Sequence, residues 1–319
     1  MSFLLFSSIS FVFMVQPKQL FDSTPDSIPR PSSLVETSNI IIDNNWSATV
    51  AMYDWCSGSG IEGDPYIIQG INISGGAGGA GLTILNSAEY FVIRNSSFSD
   101  VAQLYGHYIF AGICIDKAEF GLIENCTITN NYYGISIVNV EHVTIINNTF
   151  IGSHDDPLTG MGPAVYIDRA EDVNVTYNYI KDYYMGVMLR RSEYSVIDHN
   201  HIENLLFGYT SNAGVYFYHT NDSAITYNDF YGCESSETQV SSALSMAGVT
   251  DSIYVDPNCI NIYVHGNRFF ELSEDPSEDP SDDLIVSNPS IPSYHLSLII
   301  GIVITIVIIK MSRIKRRTK

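Results

Sequence analysis

A unit of about 22 residues recurs along this chain, and few architectures accommodate a unit of that length. Rows that start at a small residue and continue with alternating apolar positions begin GLTIL at Gly81, GICID at Gly112, GISIV at Gly134, AVYID at Ala164, GVMLR at Gly186 and GVYFY at Gly214. A less regular row, IYVDP, begins at Ile253. Fourteen residues after each start stands a turn residue: Asn95, Cys126, Asn148, Asn178, Asn200, Asn228 and Asn267. The row spacings are 31, 22, 30, 22, 28 and 39, so a 22-residue unit carries extra residues in several rows.

A unit of this size with three short strands and tight turns is one coil of a right-handed parallel β-helix. A leucine-rich repeat would need regular leucines and a helical stretch, and a membrane barrel would need strands of about ten residues facing lipid. Strand alternation points Leu82 and Ile84, Ile113 and Ile115, Ile135 and Ile137, Val165 and Ile167, Val187 and Leu189, and Val215 and Phe217 inward, with Val143 and Ile145 on the second strand. Asparagine at a fixed turn tolerates left-handed backbone and can bond its equivalents above and below. This predicts a structural ladder of Asn95, Asn148, Asn178, Asn200, Asn228 and Asn267. A lone coil cannot bury its core, so both ends need covers. The residues before Gly81 and those around Leu272–Pro280 are the candidates.

The segment Trp55–Gly76, WCSGSGIEGDPYIIQGINISGG, followed by these rows, resembles the NosD-type, carbohydrate-associated β-helix proteins of prokaryotic cell surfaces. The resemblance runs from about Ile40 to Phe270. Asp64-Pro65 reads physically as a turn before a strand Tyr66–Ile73. The family name raises copper, but the chain has no close His/Met/Cys set beyond His199-x-His201, so copper is not carried over and no cofactor is expected.

Charge separates the chain into parts. Six of its fifteen basic residues (Lys310, Arg313, Lys315, Arg316, Arg317 and Lys319) fall in the last ten positions, which leaves a strongly acidic body and excludes nucleic-acid binding. Directly before them, Ile291 to Ile309 is long enough to cross a bilayer, and the basic cluster places residues 311–319 in the cytoplasm. The expected order is a signal peptide over residues 1–16 (or an uncleaved anchor), a β-helix over 34–270, an acidic proline-punctuated stalk over 271–290, a transmembrane helix over 291–310 and the basic tail. Such a chain sits in the cell membrane with its β-helix outside. Calcium on Glu271–Asp283 is conceivable, but the spacing of a metal loop is missing. Five cysteines lack CxxC spacing; Cys233 with Cys259 is the leading disulfide pair, both lying near the last coils.

The extra residues fall between the asparagine turn and the next row, at Ser99–Phe110, Gly152–Pro163, Leu205–Asn212 and Gly232–Ser252, so they wall one side of a face. Outward positions beside them include Tyr166, Asp168, Arg169, Arg190, Arg191, Tyr216 and Tyr218. Tyrosine rings stack on sugars and guanidinium groups bond hydroxyls or carboxylates, so these are the ligand-binding candidates for a polysaccharide or a surface protein. Asp168 and Arg190, one coil apart, would also make an ordinary surface ion pair. Asp116 and Asp168, together with Asp155 and Asp156 beside His154, are the candidate acids of an alternative lyase or hydrolase, with Arg190 as charge neutraliser. Asp198, His199 and His201 form a second polar cluster. No known catalytic motif is present, so a non-catalytic binder is the first reading, an exported polysaccharide lyase or hydrolase the second, and a structural spacer the third. Seven Asn-x-Ser/Thr sequons (Asn45, Asn72, Asn95, Asn125, Asn147, Asn174 and Asn221) allow glycosylation, although the repeat itself generates Asn-x-Thr at turns.

Overall fold

A computed structural model describes residues 35–36, 39–75, 79–101, 110–152, 162–203, 213–232 and 252–270. Strand pairing among them is parallel throughout, except for a short hairpin that pairs Cys56–Ser57 with Tyr66–Gln69. The strands form one nine-stranded and one sixteen-stranded sheet. These sheets fit the expected right-handed parallel β-helix, since parallel strands joined by crossovers take that hand in nearly all proteins. The long strand Ala111–Glu124 runs continuously through two faces and so joins them into one sheet.

The first face stacks Ile40–Asp43, Leu82–Ser87, the start of Ala111–Glu124, Tyr133–Val138, Pro163–Asp168, Met185–Arg190, Val215–Tyr218 and Ile253–Val255. The second face carries Phe91–Arg94, Glu141–Ile146, Glu171–Thr176, Val196–Asp198, Ala224–Thr226 and Tyr263–His265. The third carries Ser97–Ser99, Thr127–Thr129, Thr149–Ile151, Tyr179–Lys181, His201–Glu203, Asp229–Tyr231 and Arg268–Phe270. All the inward side chains expected on the first face are fully buried, as are Val143 and Ile145. The third face adds Phe98, Ile128, Phe150, Ile180, Ile202 and Phe230 to the same core. Small residues start the rows because the corner is tight. A Cβ at Gly134 would lie 2.5 Å from the carbonyl of Ala164, and one at Gly214 would lie 2.3 Å from the ring of Phe230.

One coil precedes the rows seen in the sequence: Ile40 pairs with Leu82 and Ile42 with Ile84. The helix Trp46–Met52 and the hairpin of residues 56–68 are inserted into it, which hides its period. Trp46 is buried, donates its indole N–H to Ser87 Oγ at 2.8 Å and stacks on Tyr66 at 4.8 Å, covering this end of the core. The expected strand Tyr66–Ile73 is two strands, Tyr66–Gln69 and Ile71–Ser74. Gly70, with φ of 69°, turns the corner between them. The last row begins at Ser252 rather than Ile253, since Ile253 pairs with Val215.

The amide ladder runs through Asn148, Asn178, Asn200, Asn228 and Asn267. Each Nδ2 donates to the Oδ1 of the next at 2.9–3.1 Å and to a carbonyl of the preceding coil, from Ile123 O to Ile225 O. Each Oδ1 also accepts the backbone N–H of the previous ladder residue, beginning with Cys126 N. Asn95 stands outside this ladder. Ser87 pairs with Ala118 and Phe91 with Gly121, so three residues of that coil occupy the place of two in the next. The extra residue puts Ser96 in the ladder position, where its Oγ accepts from Ile71 N, and leaves Asn95 exposed. The two virtues expected of one asparagine therefore belong to neighbouring positions. Left-handed backbone falls on Asn95, Asn125, Asn147, Tyr177, His199 and Tyr227, and bonding falls on the residue after each.

Among the described residues no helix is long and apolar enough to cross a membrane. The expected signal peptide, stalk, transmembrane helix, basic tail and C-terminal cover all lie outside them. Among the described residues Cys56, Cys114, Cys126 and Cys259 are free thiols; Cys233, the expected partner of Cys259, lies outside them.

Replacing Asn200 by Ala leaves the Asn178 N–H buried without a partner, at about 1–3 kcal/mol, and removes the amide's own bonds to the Val175 carbonyl and to Asn228. Chemical denaturation should show a loss of about 2–4 kcal/mol for Asn200→Ala. Asn95→Ala should stay within about 1 kcal/mol, the cost of left-handed backbone.

Candidate functional site

Outward side chains of the first face form two straight columns. One holds Thr83, Cys114, Ser136, Tyr166, Met188, Tyr216 and Tyr254, and the other Leu85, Asp116, Val138, Asp168, Arg190 and Tyr218. Burial divides them. Cys114, Ser136, Val138, Tyr166 and Asp168 are buried although they point away from the core, whereas Thr83, Leu85 and Asp116 at one end and Met188, Arg190, Tyr216, Tyr218 and Tyr254 at the other are half-exposed. Of the expected ligand-binding residues in these columns, the accessible ones are thus those of the last three coils. Strands buried on both sides carry small or apolar residues on both sides, and Cys114, Ser136 and Val138 carried that signal in the sequence.

The carboxylates are arranged for structure. Asp168 accepts from Arg191 through both oxygens, Nε at 2.8 Å and Nη2 at 2.6 Å, and Arg169 Nη2 lies 3.4 Å away. Its side chain is only 5% exposed. The expected surface pair of Asp168 with Arg190 is therefore replaced by a buried carboxylate held by Arg191 and Arg169. Left-handed backbone at Arg169 and Arg191 swings these side chains back along the corner toward Asp168. The network continues downward: Arg169 Nε donates to Asn139 Oδ1, and Asn139 Nδ2 donates to Asp116 Oδ1, both at 2.8 Å. Val138 separates Asp116 from Asp168 in the column, which sets them about 10 Å apart at two strand spacings. Asp155 and Asp156 lie outside the described residues.

Arg190 turns elsewhere. Its Nη1 donates to the Tyr166 hydroxyl at 3.1 Å, and its guanidinium lies 5.7 Å from the centre of the Tyr218 ring. Tyr216 and Tyr254 stack on each other at 4.7 Å and 12°. Their inner faces are spent on one another, so this row presents ring edges and hydroxyls rather than the open rings expected for sugar stacking. Burial raises the phenol pKa values of Tyr133, Tyr216 and Tyr254, which keeps these hydroxyls neutral donors and acceptors.

A second cluster, on the third face, was missed because only first-face outward positions were compared across rows. Glu203 accepts from the Tyr179 hydroxyl at 2.5 Å, from Lys181 Nζ at 3.0 Å and contacts His201 Nε2 at 2.9 Å. His201 packs between Tyr179 and Tyr231. Reading outward residues at the same step after each ladder asparagine would have shown Tyr179, His201 and Asp229 as one column. The expected grouping of Asp198, His199 and His201 is divided by the fold. His199 sits at the corner, stacked between Tyr177 and Tyr227 and bonded to Asp198, while His201 sits on the third face with Glu203.

The profile of the family described as periplasmic copper-binding protein (NosD) matches residues 33–267. The chain belongs to the NosD family. A comparison with curated proteins finds no match. The family's name makes copper the group to test against these residues. His199 and His201 face different sides of Asn200, and each ring is committed to its own carboxylate and tyrosines. Burial pushes the Cys114 and Cys126 thiols up to about 12, far from the thiolate that a soft metal takes. No group of three or more His, Cys, Asp or Glu converges on a point among the described residues. These residues do not fit a copper site.

Burial alone would raise the Glu203 pKa, but its three donors outweigh it and hold the carboxyl down to about 2. A depressed carboxyl stabilises the fold fully above its unfolded value and loses that contribution as pH falls through the folded one. The stability difference between the protein and Glu203→Gln, followed by denaturation at several pH values, should therefore be largest above about pH 4.5. It should close as the pH approaches about 2.

Proposed function

We propose that this member of the NosD family is an exported surface protein whose first face binds acidic polysaccharide without cleaving it. In this reading residues 291–309 tether it to the membrane and residues 311–319 lie in the cytoplasm. The observation that carries the reading is Arg190. Within a strongly acidic body, its guanidinium bonds a phenol and overlies a ring, and no carboxylate hydrogen bond to it occurs among the described residues. Asp168, its neighbour in register, is already satisfied by Arg191 and Arg169.

A guanidinium set among tyrosine hydroxyls, with no carboxylate hydrogen bond among the described residues, is suited to a uronate. The carboxylate would take the charge-assisted bonds, and Tyr216, Tyr218 and Tyr254 would meet the sugar hydroxyls. The same geometry weakens the case for hydrolysis. A glycosidase needs two free carboxylates across the scissile bond, and both oxygens of Asp168 are held by Arg191 with the side chain only 5% exposed.

Calorimetric titration with polygalacturonate, set against a neutral dextran, tests the reading. Arg190→Ala should weaken binding of the acidic polymer by about ten- to a hundredfold, the equivalent of one charge-assisted bond at about 1.5–3 kcal/mol. Unchanged affinity in that variant would remove Arg190 from the site, and release of unsaturated or reducing ends would make the protein an enzyme.

A further inference from the structure

Three of the seven sequons fall on one line. Asn95, Asn125 and Asn147 occupy the same left-handed corner position on successive coils, with φ of 49°, 52° and 55°. All three are exposed, and their side-chain amides make no hydrogen bond among the described residues. The residue after each (Ser96, Cys126, Asn148) turns into the ladder. The hydroxyl residue two places on (Ser97, Thr127, Thr149) points outward on the third face; the Ser97 hydroxyl donates to Asn72, whereas those of Thr127 and Thr149 make no hydrogen bond among the described residues.

Three other sequon asparagines are held to the fold through Oδ1, and a fourth lies inside a strand. Asn45 Oδ1 accepts from Asp43 N, Asn72 Oδ1 accepts from the Ser97 hydroxyl, and Asn221 Oδ1 accepts from Ile260 N. Asn174 lies within the strand Glu171–Thr176, paired on both sides.

The fold does not require asparagine at this corner. The next coils place Tyr177, His199 and Tyr227 there in the same backbone conformation. In those coils the hydroxyl two places on is lost as well, replaced by Tyr179, His201 and Asp229. Asparagine and hydroxyl occur together in three rows and disappear together in the following three. A turn preference alone would act on the asparagine and leave the outward strand residue free to vary.

From this we infer that the corner formed by Asn95, Asn125 and Asn147 is an N-glycosylation site. The donor is an oligosaccharide carried on a polyprenyl phosphate and presented by a membrane transferase of the host. The asparagine amide nitrogen bonds to the anomeric carbon, and the carbon–oxygen bond to the phosphate breaks. The amide proton passes to a base on the transferase, the lipid phosphate leaves, and no oxidation state changes. Neighbouring asparagines lie about 4.8 Å apart, less than the breadth of a sugar, so glycans on adjacent coils exclude one another. Asn95 and Asn147, about 10 Å apart, can be occupied together. Tyr177, one coil beyond Asn147, stacks one face on His199 at 5.0 Å and is 55% exposed, so its other face is placed to receive the first sugar on Asn147.

Glycopeptide mass spectrometry on the full chain purified from its native membranes tests this. Oligosaccharide should appear on the three corner asparagines and be missing from Asn45, Asn72 and Asn221, with adjacent corners rarely occupied on one molecule. Thr149→Ala should abolish occupancy at Asn147 and Thr149→Ser should restore it. Tyr177→Ala should keep the occupancy but reduce the thermal shift that the glycan confers. Bare asparagines at all three corners, or equal occupancy at Asn72 and Asn221, would overturn the inference.

Discussion

Each residue in the coils of this β-helix must share its surroundings with the residue one coil above and one coil below, about 4.8 Å away. In-register parallel stacking makes that condition strict, because a side chain's nearest foreign neighbour is its own equivalent. Apolar residues satisfy it at once by forming columns. Polar residues satisfy it only if they can donate on one side and accept on the other, which a carboxamide does and a carboxylate does not. Buried polar residues obey this, whereas Glu119, Glu141, Glu171 and Glu193, in register on four successive coils toward the outside, do not. Asparagines stack on asparagines through the ladder, while Asp116, Asp168 and Glu203 are met by Asn139, Arg191 and Lys181 rather than by other acids.

That condition also explains what was legible in the sequence. The inward columns were readable because a period of two, repeated at fixed offset, leaves no freedom once one row is aligned. The errors arose where the chain departs from its own count. One additional residue between Ser87 and Phe91 moved Asn95 out of the ladder, and the helix and hairpin between Asp43 and Tyr66 concealed the first coil. Choosing between Arg190 and Arg191 as the partner of Asp168 needed backbone angles. The left-handed turn at Arg191 sends the later residue back to the carboxylate, which residue spacing does not show. Burial of Cys114, Ser136 and Val138 on the outer side was partly visible in their size and polarity.

Function follows from how the stacking condition is met on each outer surface. On the first face, acid and base cancel at Asp168 and leave Arg190 among tyrosines as a local positive point on an acidic molecule. On the third face, Glu203 is enclosed by donors and contributes to cohesion. At the corner between the second and third faces, unengaged asparagines give way to stacked aromatic rings halfway along the column. Membership of the NosD family fixes the scaffold and leaves the chemistry to these outer columns.

The order in which the coils are bonded has a mechanical side. Every row of hydrogen bonds lies between one coil and the next, so tension along the axis that entered at Phe270 would load one row at a time. Such a solenoid parts like a zipper, from Arg268–Phe270 inward, instead of resisting as a sheet pulled in shear. Its last coil, with Phe269 and Phe270 more than a third exposed, would be the first to peel, and Trp46 at the far end the last to feel the pull.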